Sequence, residues 1–208
     1  MRVKYPRTPH LPWSPGVAAD DIRAAENLFG EGVDVVVTEK LDGENTSIYR
    51  DGCHARSIDS RHHPSRDRVK ALQAQIGHEI PDGWRLCGEN VYARHSIAYE
   101  GLDGYFYLFS VWNADNVCLS WDETLEWAEL LGLPTPNVLW RGAWDPKAVE
   151  AIAVDESVCE GYVARVADRF SFDDFALSVA KWVRQGHVTT DTHWMHQALV
   201  PNGLRSES

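Results

Sequence analysis

Lys40 is the residue of this 208-residue chain best placed to act as a nucleophile. It follows the β-branched run 33–38 and opens the stretch Lys40-Leu41-Asp42-Gly43-Glu44-Asn45. An amine attacks only after losing its proton, and an unperturbed lysine titrates at about 10.4. Burial and a nearby cation both lower that value. The apolar strand ahead of Lys40 supplies the first, and Lys181, inside Val179-Ala180-Lys181-Trp182-Val183, can supply the second. The bland alternative for Lys181 is an edge-strand lysine that reaches out to water. Two carboxylates have similar settings: Glu89 in Leu86-Cys87-Gly88-Glu89-Asn90, and Glu160 in Val158-Cys159-Glu160-Gly161-Tyr162. Facing two lysines, they can hold a divalent metal ion or sugar hydroxyls, or simply close a buried ion pair. The glycine beside each lets a ligand approach the backbone.

Other residue types carry less. In the run Tyr105 to Trp112, Tyr105, Tyr107 and Phe109 share one strand face and Phe106 lies on the other. One ring can stack on a flat heterocycle; otherwise the run is core. His187, His193 and His196 lack a cysteine or carboxylate to complete a zinc site. His10, His54, His62 and His63 read as solvated or phosphate-contacting residues.

The elements that must position these groups follow from patterning. Tyr5 to Pro15 holds four prolines and is expected to lie extended across the surface. Ile22, Ala25 and Phe29 share a helical face, which predicts a helix over 18–29 stopped by Gly30 and Gly32. Strands are predicted over 33–38, 46–50, 84–92, 105–112, 158–166 and 175–183. A helix is predicted over 65–76. Ser120 and Glu123 form a capping box for a helix to Leu131, and Asp145-Pro146 opens another. Strands and helices mix without regular alternation, which predicts an α+β fold of largely antiparallel sheets with flanking helices.

Length suits a single domain, here expected over 1–200 with a flexible tail at 201–208. The net charge of −11 argues against a broad nonspecific nucleic-acid surface. It leaves room for a local basic track, and Arg56, Arg61, Arg66, Arg68 and Lys70 crowd one segment. Cys53, Cys87, Cys118 and Cys159 form no C-x-x-C pair and read as reduced thiols, which predicts a cytoplasmic protein. The N-terminus lacks the apolar stretch of a signal peptide, and no apolar run matches a membrane span.

Taken together and in order, these segments resemble the covalent nucleotidyltransferase superfamily of ATP-dependent ligases and capping enzymes. Within it the chain most resembles the RNA ligases of the type typified by the phage double-strand RNA ligase and its bacterial relatives. The resemblance covers about Val35 to Arg184 and implies a nucleotidyltransferase (ATP-grasp-like) catalytic domain. It implies that Lys40 becomes adenylylated and that Glu39 sits at the adenine edge. Asn45 falls where RNA ligases carry Asn and DNA ligases usually Arg. By the same resemblance Arg61 contacts ribose and phosphate, Glu89 binds ribose and Phe109 stacks on adenine, with Phe106 as a rival. Glu160 is metal-linked, with Glu89 as a second metal candidate, and Lys181 contacts the α-phosphate. The cofactors implied are ATP and Mg²⁺ or Mn²⁺; the partners are RNA 5′-phosphate and 3′-hydroxyl ends.

Two departures stand out. The last motif of the family often has two lysines one residue apart; here the earlier position is Val179, with Arg184 the next cation. Only 185–208 follow, too short for the usual C-terminal OB or helical domain. This predicts a stand-alone catalytic domain, with RNA affinity left to the arginine-rich segment or to a separate RNA-repair or RNA-binding protein. The rival readings are a nucleotide-binding module of a repair complex without catalysis, a DNA ligase and a GTP-using capping enzyme.

Overall fold

The computed structural model describes residues 1–25, 28–60, 62–186 and 199–206. Arg61 and the histidines at 187, 193 and 196 lie outside the described residues. Among the described residues the strands are β1 (Asp34–Lys40), β2 (Glu44–Tyr49), β3 (Gly52–Ala55), β4 (Arg85–Asn90), β5 (Phe106–Trp112), β6 (Val117–Cys118), β7 (Val138–Ala143), β8 (Gly161–Val166), β9 (Phe170–Ser171) and β10 (Val179–Val183). The α-helices are α1 (Asp67–Ile76), α2 (Trp121–Leu131), α3 (Pro146–Glu150) and α4 (Phe175–Ser178). The strands form two antiparallel sheets, ordered β10-β8-β1-β7 and β3-β2-β4-β5-β6-β9.

The valine run of β1 explains its interior place in the first sheet. Val35 and Val37 pack with Leu11, Tyr162, Ala164 and Ala180 on one face, while Val36 meets Trp121 on the other. β-Branched side chains suit a strand packed on both faces. In the second sheet, Ile48, Leu86 and Leu108 pack against Val69 of α1 and Ala128 of α2. A third cluster, with Tyr5, Cys87, Trp112, Phe170 and Val179, ties the two sheets together. The capping box of α2 forms as expected: Glu123 N–H donates to Ser120 Oγ, and Ser120 N–H donates to the Glu123 carboxylate at 3.0 Å. Gly132, at φ 64°, ends the helix in the left-handed conformation.

Some expectations need correction. Residues 18–25 and Phe29 form no helix. Asp21 accepts from Ala18 N–H, and Ile22 and Ala24 hydrogen-bond through their backbones to His10, so those groups bond a distant segment instead of building a helical ladder. Residues 175–178 are the short helix α4, and the strand begins only at Val179. Strand β7 has no sequence signature because it is a half-exposed edge, paired among the described residues with β1 alone. His10 and His54 are buried, not solvated. Within the segment 201–208, Asn202 is buried, with its side chain donating to Val91 O at 2.8 Å, and Gly203 N–H donates to Tyr99 O at 2.9 Å. The four cysteines are free thiols. Among the described residues no helix is long and apolar enough to cross a membrane.

Candidate active site

The two sheets face each other across a cavity of about 760 Å³, ample for a mononucleotide. Register decides which side chains enter it. Thr38, Val163 and Lys181 align across β1, β8 and β10, and Lys40 aligns with Gly161 and Val183 one step further along the same face. Thr38, Lys40, Val163 and Lys181 all line the cavity. The opposing sheet contributes Asn45 from β2, Glu89 from β4 and Phe109 from β5. Asn45 and Glu89 are cross-strand partners.

A β-bulge re-aims the aromatic strand. The β4–β5 register shifts between Cys87 and Gly88, so Cys87 pairs with Ser110 and Gly88 with Leu108. Phe109 falls in the bulge, and both Phe109 and Ser110 line the cavity. Phe106 is buried in the cluster on the other side of the sheet, so of the two rings it is Phe109 that lines the cavity.

Glycine at 43 has a steric cause. A Cβ there would lie 2.6 Å from Asn90 O, so only glycine lets β2 leave Lys40 this close to β4. Asp42 anchors the loop that follows β4: its carboxylate accepts from Ser96 N–H at 2.7 Å, Ser96 Oγ at 2.6 Å and Ile97 N–H at 3.0 Å. Gly161, at φ 152°, brings its Cα against Trp182 O, where a Cβ would stand 2.1 Å away.

The charges around Lys40 are tightly coupled. Lys40 Nζ donates to Glu160 Oε2. Burial pulls the Lys40 amine down, but the Glu160 and Glu89 carboxylates outweigh it and hold the amine above its ordinary range. This reverses the sequence expectation of a lowered amine, which weighed Lys181 and burial but not the carboxylates. It is Lys181 that lies below its ordinary value, through burial and the Lys40 cation. Burial pushes Glu89 up to about 8 despite Lys40 nearby.

The remaining expected residues fall as follows. Glu39 lines the cavity and accepts from Asn137 Nδ2 at 2.9 Å. Among the described residues Asn45 Oδ1 is buried with no hydrogen-bond partner. Arg184 donates from its backbone to Glu160 O at 3.0 Å and from its guanidinium to Ser96 Oγ at 3.3 Å. Val179 lines the cavity as an apolar wall. Arg66 of the basic segment forms a two-pronged pair with Glu44, with Nε to Oε2 at 2.7 Å. Sequence reasoning missed Arg7, Arg56 and His95 as cavity residues. Only Arg56 carried a signal, its place in the arginine-rich run.

An orphan acceptor, an accessible ring, two lysines, the buried Glu160 and the half-buried Glu89 suit a nucleotide with its phosphates near Lys40. The RNA ligase family model matches residues 33–183, well over half of the chain. The chain belongs to the RNA ligase family. Solved ligases share its fold. An archaeal ATP-dependent RNA ligase aligns with a TM-score of 0.58 at 16% identity, over 88% of this chain and 48% of that one. A Naegleria gruberi RNA ligase variant, solved with ATP and Mn, aligns with a TM-score of 0.56 at 18% identity, over 83% of this chain and 58% of that one. A chain described as an ATP-dependent DNA ligase from Aquifex aeolicus gives 0.53 at 23% identity, over 74% and 44%. This RNA ligase family member therefore spans about half the length of the solved ligases it matches. Among curated proteins no sequence relative matches it.

Proposed function

We propose that this chain is an ATP-dependent RNA ligase that joins 3′-hydroxyl and 5′-phosphate ends through a lysyl-AMP on Lys40. The observation that carries the reading is the convergence of Lys40, Lys181 and Glu89 on one cavity within the family-matched region, with Glu160 bonded to Lys40. In the first step Lys40 Nζ bonds to the α-phosphorus of ATP as the bond to pyrophosphate breaks, and the amine releases its proton. AMP then passes to the RNA 5′-phosphate, and the 3′-hydroxyl displaces it.

Each residue has a part in this reading. Phe109 stacks on the base, with Glu39 at the adenine edge. Glu89 takes ribose hydroxyls. Asn45, an orphan acceptor in the wall, meets a ligand donor and is the residue that favours RNA. Lys181 offsets charge on the α-phosphate oxygens, with Arg184 and Arg61 as further phosphate contacts.

The donor chemistry fits Mg²⁺ or Mn²⁺. Among the described residues no three His, Cys, Asp or Glu gather around one point. A hard cation of this kind needs only one or two carboxylates plus phosphate oxygens. Glu160 and Glu89 would hold it, and when bound it supplies positive charge that relieves their hold on the Lys40 proton.

The test is the intact mass of AMP-stripped protein after incubation with ATP and Mg²⁺, beside GTP and a Lys40→Ala variant. An AMP-sized gain with ATP alone, absent from the variant, is expected. A gain that survives in Lys40→Ala sinks the assignment. ATP binding without an adduct returns the chain to a noncatalytic repair module. Nicked RNA and nicked DNA duplexes then separate the two polymers.

A further inference from the structure

The N-terminal segment is part of the cavity wall. Lys181 N–H donates to Pro9 O at 2.9 Å, and Leu11 N–H donates to Lys181 O at 2.7 Å. His10 is thus paired, in parallel, with the strand residue that carries the Lys181 side chain. On its far side His10 pairs with Arg23. Ser14 Oγ accepts from Val183 N–H at 3.0 Å, and Trp13 Nε1 donates to Tyr162 OH at 2.8 Å. The strap is therefore fastened to β10 and β8 along its length. Because it runs parallel to β10, the residues before Pro9 continue past Lys181 in the direction away from Lys40. Those residues, Tyr5 to Thr8, line the cavity.

Arg7 is their charged member, with an exposed side chain. Its guanidinium donates to Asp20 O at 2.9 Å and to Asp20 Oδ2 at 3.2 Å. Arginine has five N–H donors in a planar fork, so this clamp leaves others to offer. Arg56, at the end of β3, lines the same cavity. Burial and then the Arg7 charge pull Arg56 down, and Arg56 is among the charges acting on Lys181. Lys40, Lys181, Arg56 and Arg7 thus bring four cations to one cavity, against Glu160 and Glu89 at Lys40, Asp20 at Arg7 and Asp21 near Arg56 and Lys181. Cations gathered on one cavity favour a ligand of negative charge.

We propose that Arg7, with Arg56, binds the two outer phosphates of the nucleotide and holds pyrophosphate as it leaves. This rests on the reading that Lys40 attacks ATP. In that reaction the attacking nitrogen and the departing oxygen lie in line across the α-phosphorus. The leaving group therefore departs on the side away from Lys40, past Lys181, where the strap places Arg7. Atoms balance as in the step above: the Nζ–P bond forms, the P–O bond to pyrophosphate breaks, and the pyrophosphate stays paired with guanidinium until release. A bidentate arginine–phosphate contact suits this better than a lysine.

The test compares wild type, Arg7→Ala and Arg7→Lys, all stripped of AMP, in three measurements. The first is the rate of lysyl-AMP formation from ATP. The second is sealing of a pre-adenylylated RNA, which bypasses ATP. The third is the rise in melting temperature caused by inorganic pyrophosphate, beside that caused by AMP. For Arg7→Ala we expect lysyl-AMP formation to fall about ten- to a hundredfold. The pyrophosphate shift should vanish, while sealing of adenylylated RNA and the AMP shift stay within about twofold of wild type. Arg7→Lys should recover part of the rate. Equal losses in both reactions would assign Arg7 to RNA phosphate or to folding and overturn the proposal. So would an unchanged rate, or a pyrophosphate shift that persists. If wild type itself forms no adduct with ATP, it is the ligase reading that fails. The pyrophosphate shift, measured without turnover, then still decides whether Arg7 holds a polyphosphate.

Discussion

Lys181 and Arg7 line one cavity from neighbouring pieces of chain, but they are mounted differently. Lys181 sits in β10, whose neighbour β8 is itself paired with β1. Arg7 rides on a proline-rich strap whose fastenings are single bonds: Pro9 O, Leu11 N–H, Trp13 Nε1 and Ser14 Oγ. The sheet wall is held by continuous strand ladders; the strap is held by these separate bonds and by Tyr5 and Leu11, which pack into the core. In the reading above Lys181, which carries chemistry, lies on the first, and Arg7, which with Arg56 of the opposing sheet orients the outgoing group, lies on the second. Losses on the sheet wall should therefore strike the chemical step, and losses on the strap should strike one substrate and spare another.

The largest expected effect is at Lys181. Lys181→Ala should slow lysyl-AMP formation by about a hundred- to a thousandfold, the range for removing one preorganised group from a transition-state charge. Single-turnover rates check this, and a loss smaller than that of Arg7→Ala would overturn the ranking of the walls. Next is Gly43→Ala, which must displace Asn90 O from 2.6 Å. It should cost about 1–3 kcal/mol in urea unfolding and also slow adenylylation, because the strain falls between Lys40 and Glu89. Ser14→Ala tests the strap. It leaves the buried Val183 N–H without the Ser14 hydroxyl, for a loss of about 1–3 kcal/mol. ATP-dependent adenylylation should suffer more than sealing of adenylylated RNA; equal losses would mean that strap and sheet act as one wall.

The smallest effect lies away from both walls. Ser120→Ala should cost about 1 kcal/mol and leave adenylylation untouched. Its partner Glu123 gives this corner a pH signature. The Arg169 guanidinium bonded to Glu123 holds its carboxyl down at about 2, against an ordinary 4.5. A depressed carboxylate stabilises the fold above its ordinary value and loses that contribution as pH falls through the folded one. Melting temperature should therefore decline from pH 4.5 toward 2, and Glu123→Gln should flatten that decline; parallel curves for the two proteins would refute the assignment.

Residues were legible in the sequence where a local pattern dictated them. The valine run placed β1 and Lys40, Ser120 and Glu123 announced α2, and apolar strands framed Glu89, Glu160 and Lys181. What was hidden depended on partners far along the chain. The bulge that turns both Phe109 and Ser110 inward exists only in the pairing with β4. The helical pattern of 18–29 lost to backbone bonds with His10. The protonation of Lys40 was misjudged because its burial is local while the opposing carboxylates come from β4 and the residue before β8. Arg7 looked like one cation in a proline-rich segment, since nothing nearby in sequence reveals that Pro9 will meet Lys181.

That pairing has a consequence during synthesis. The strap and the strand bearing Lys40 leave the ribosome early, but their partners β7, β8 and β10 come from Val138 onward. At translation rates of roughly 5–20 residues per second, Lys40 waits on the order of ten seconds for Lys181 to be made. Through that interval the valine strand has neither neighbour, and the growing chain lacks both Glu160 and Lys181. A nascent chain therefore has no complete site with which to capture or consume a nucleotide until β10 closes onto the strap.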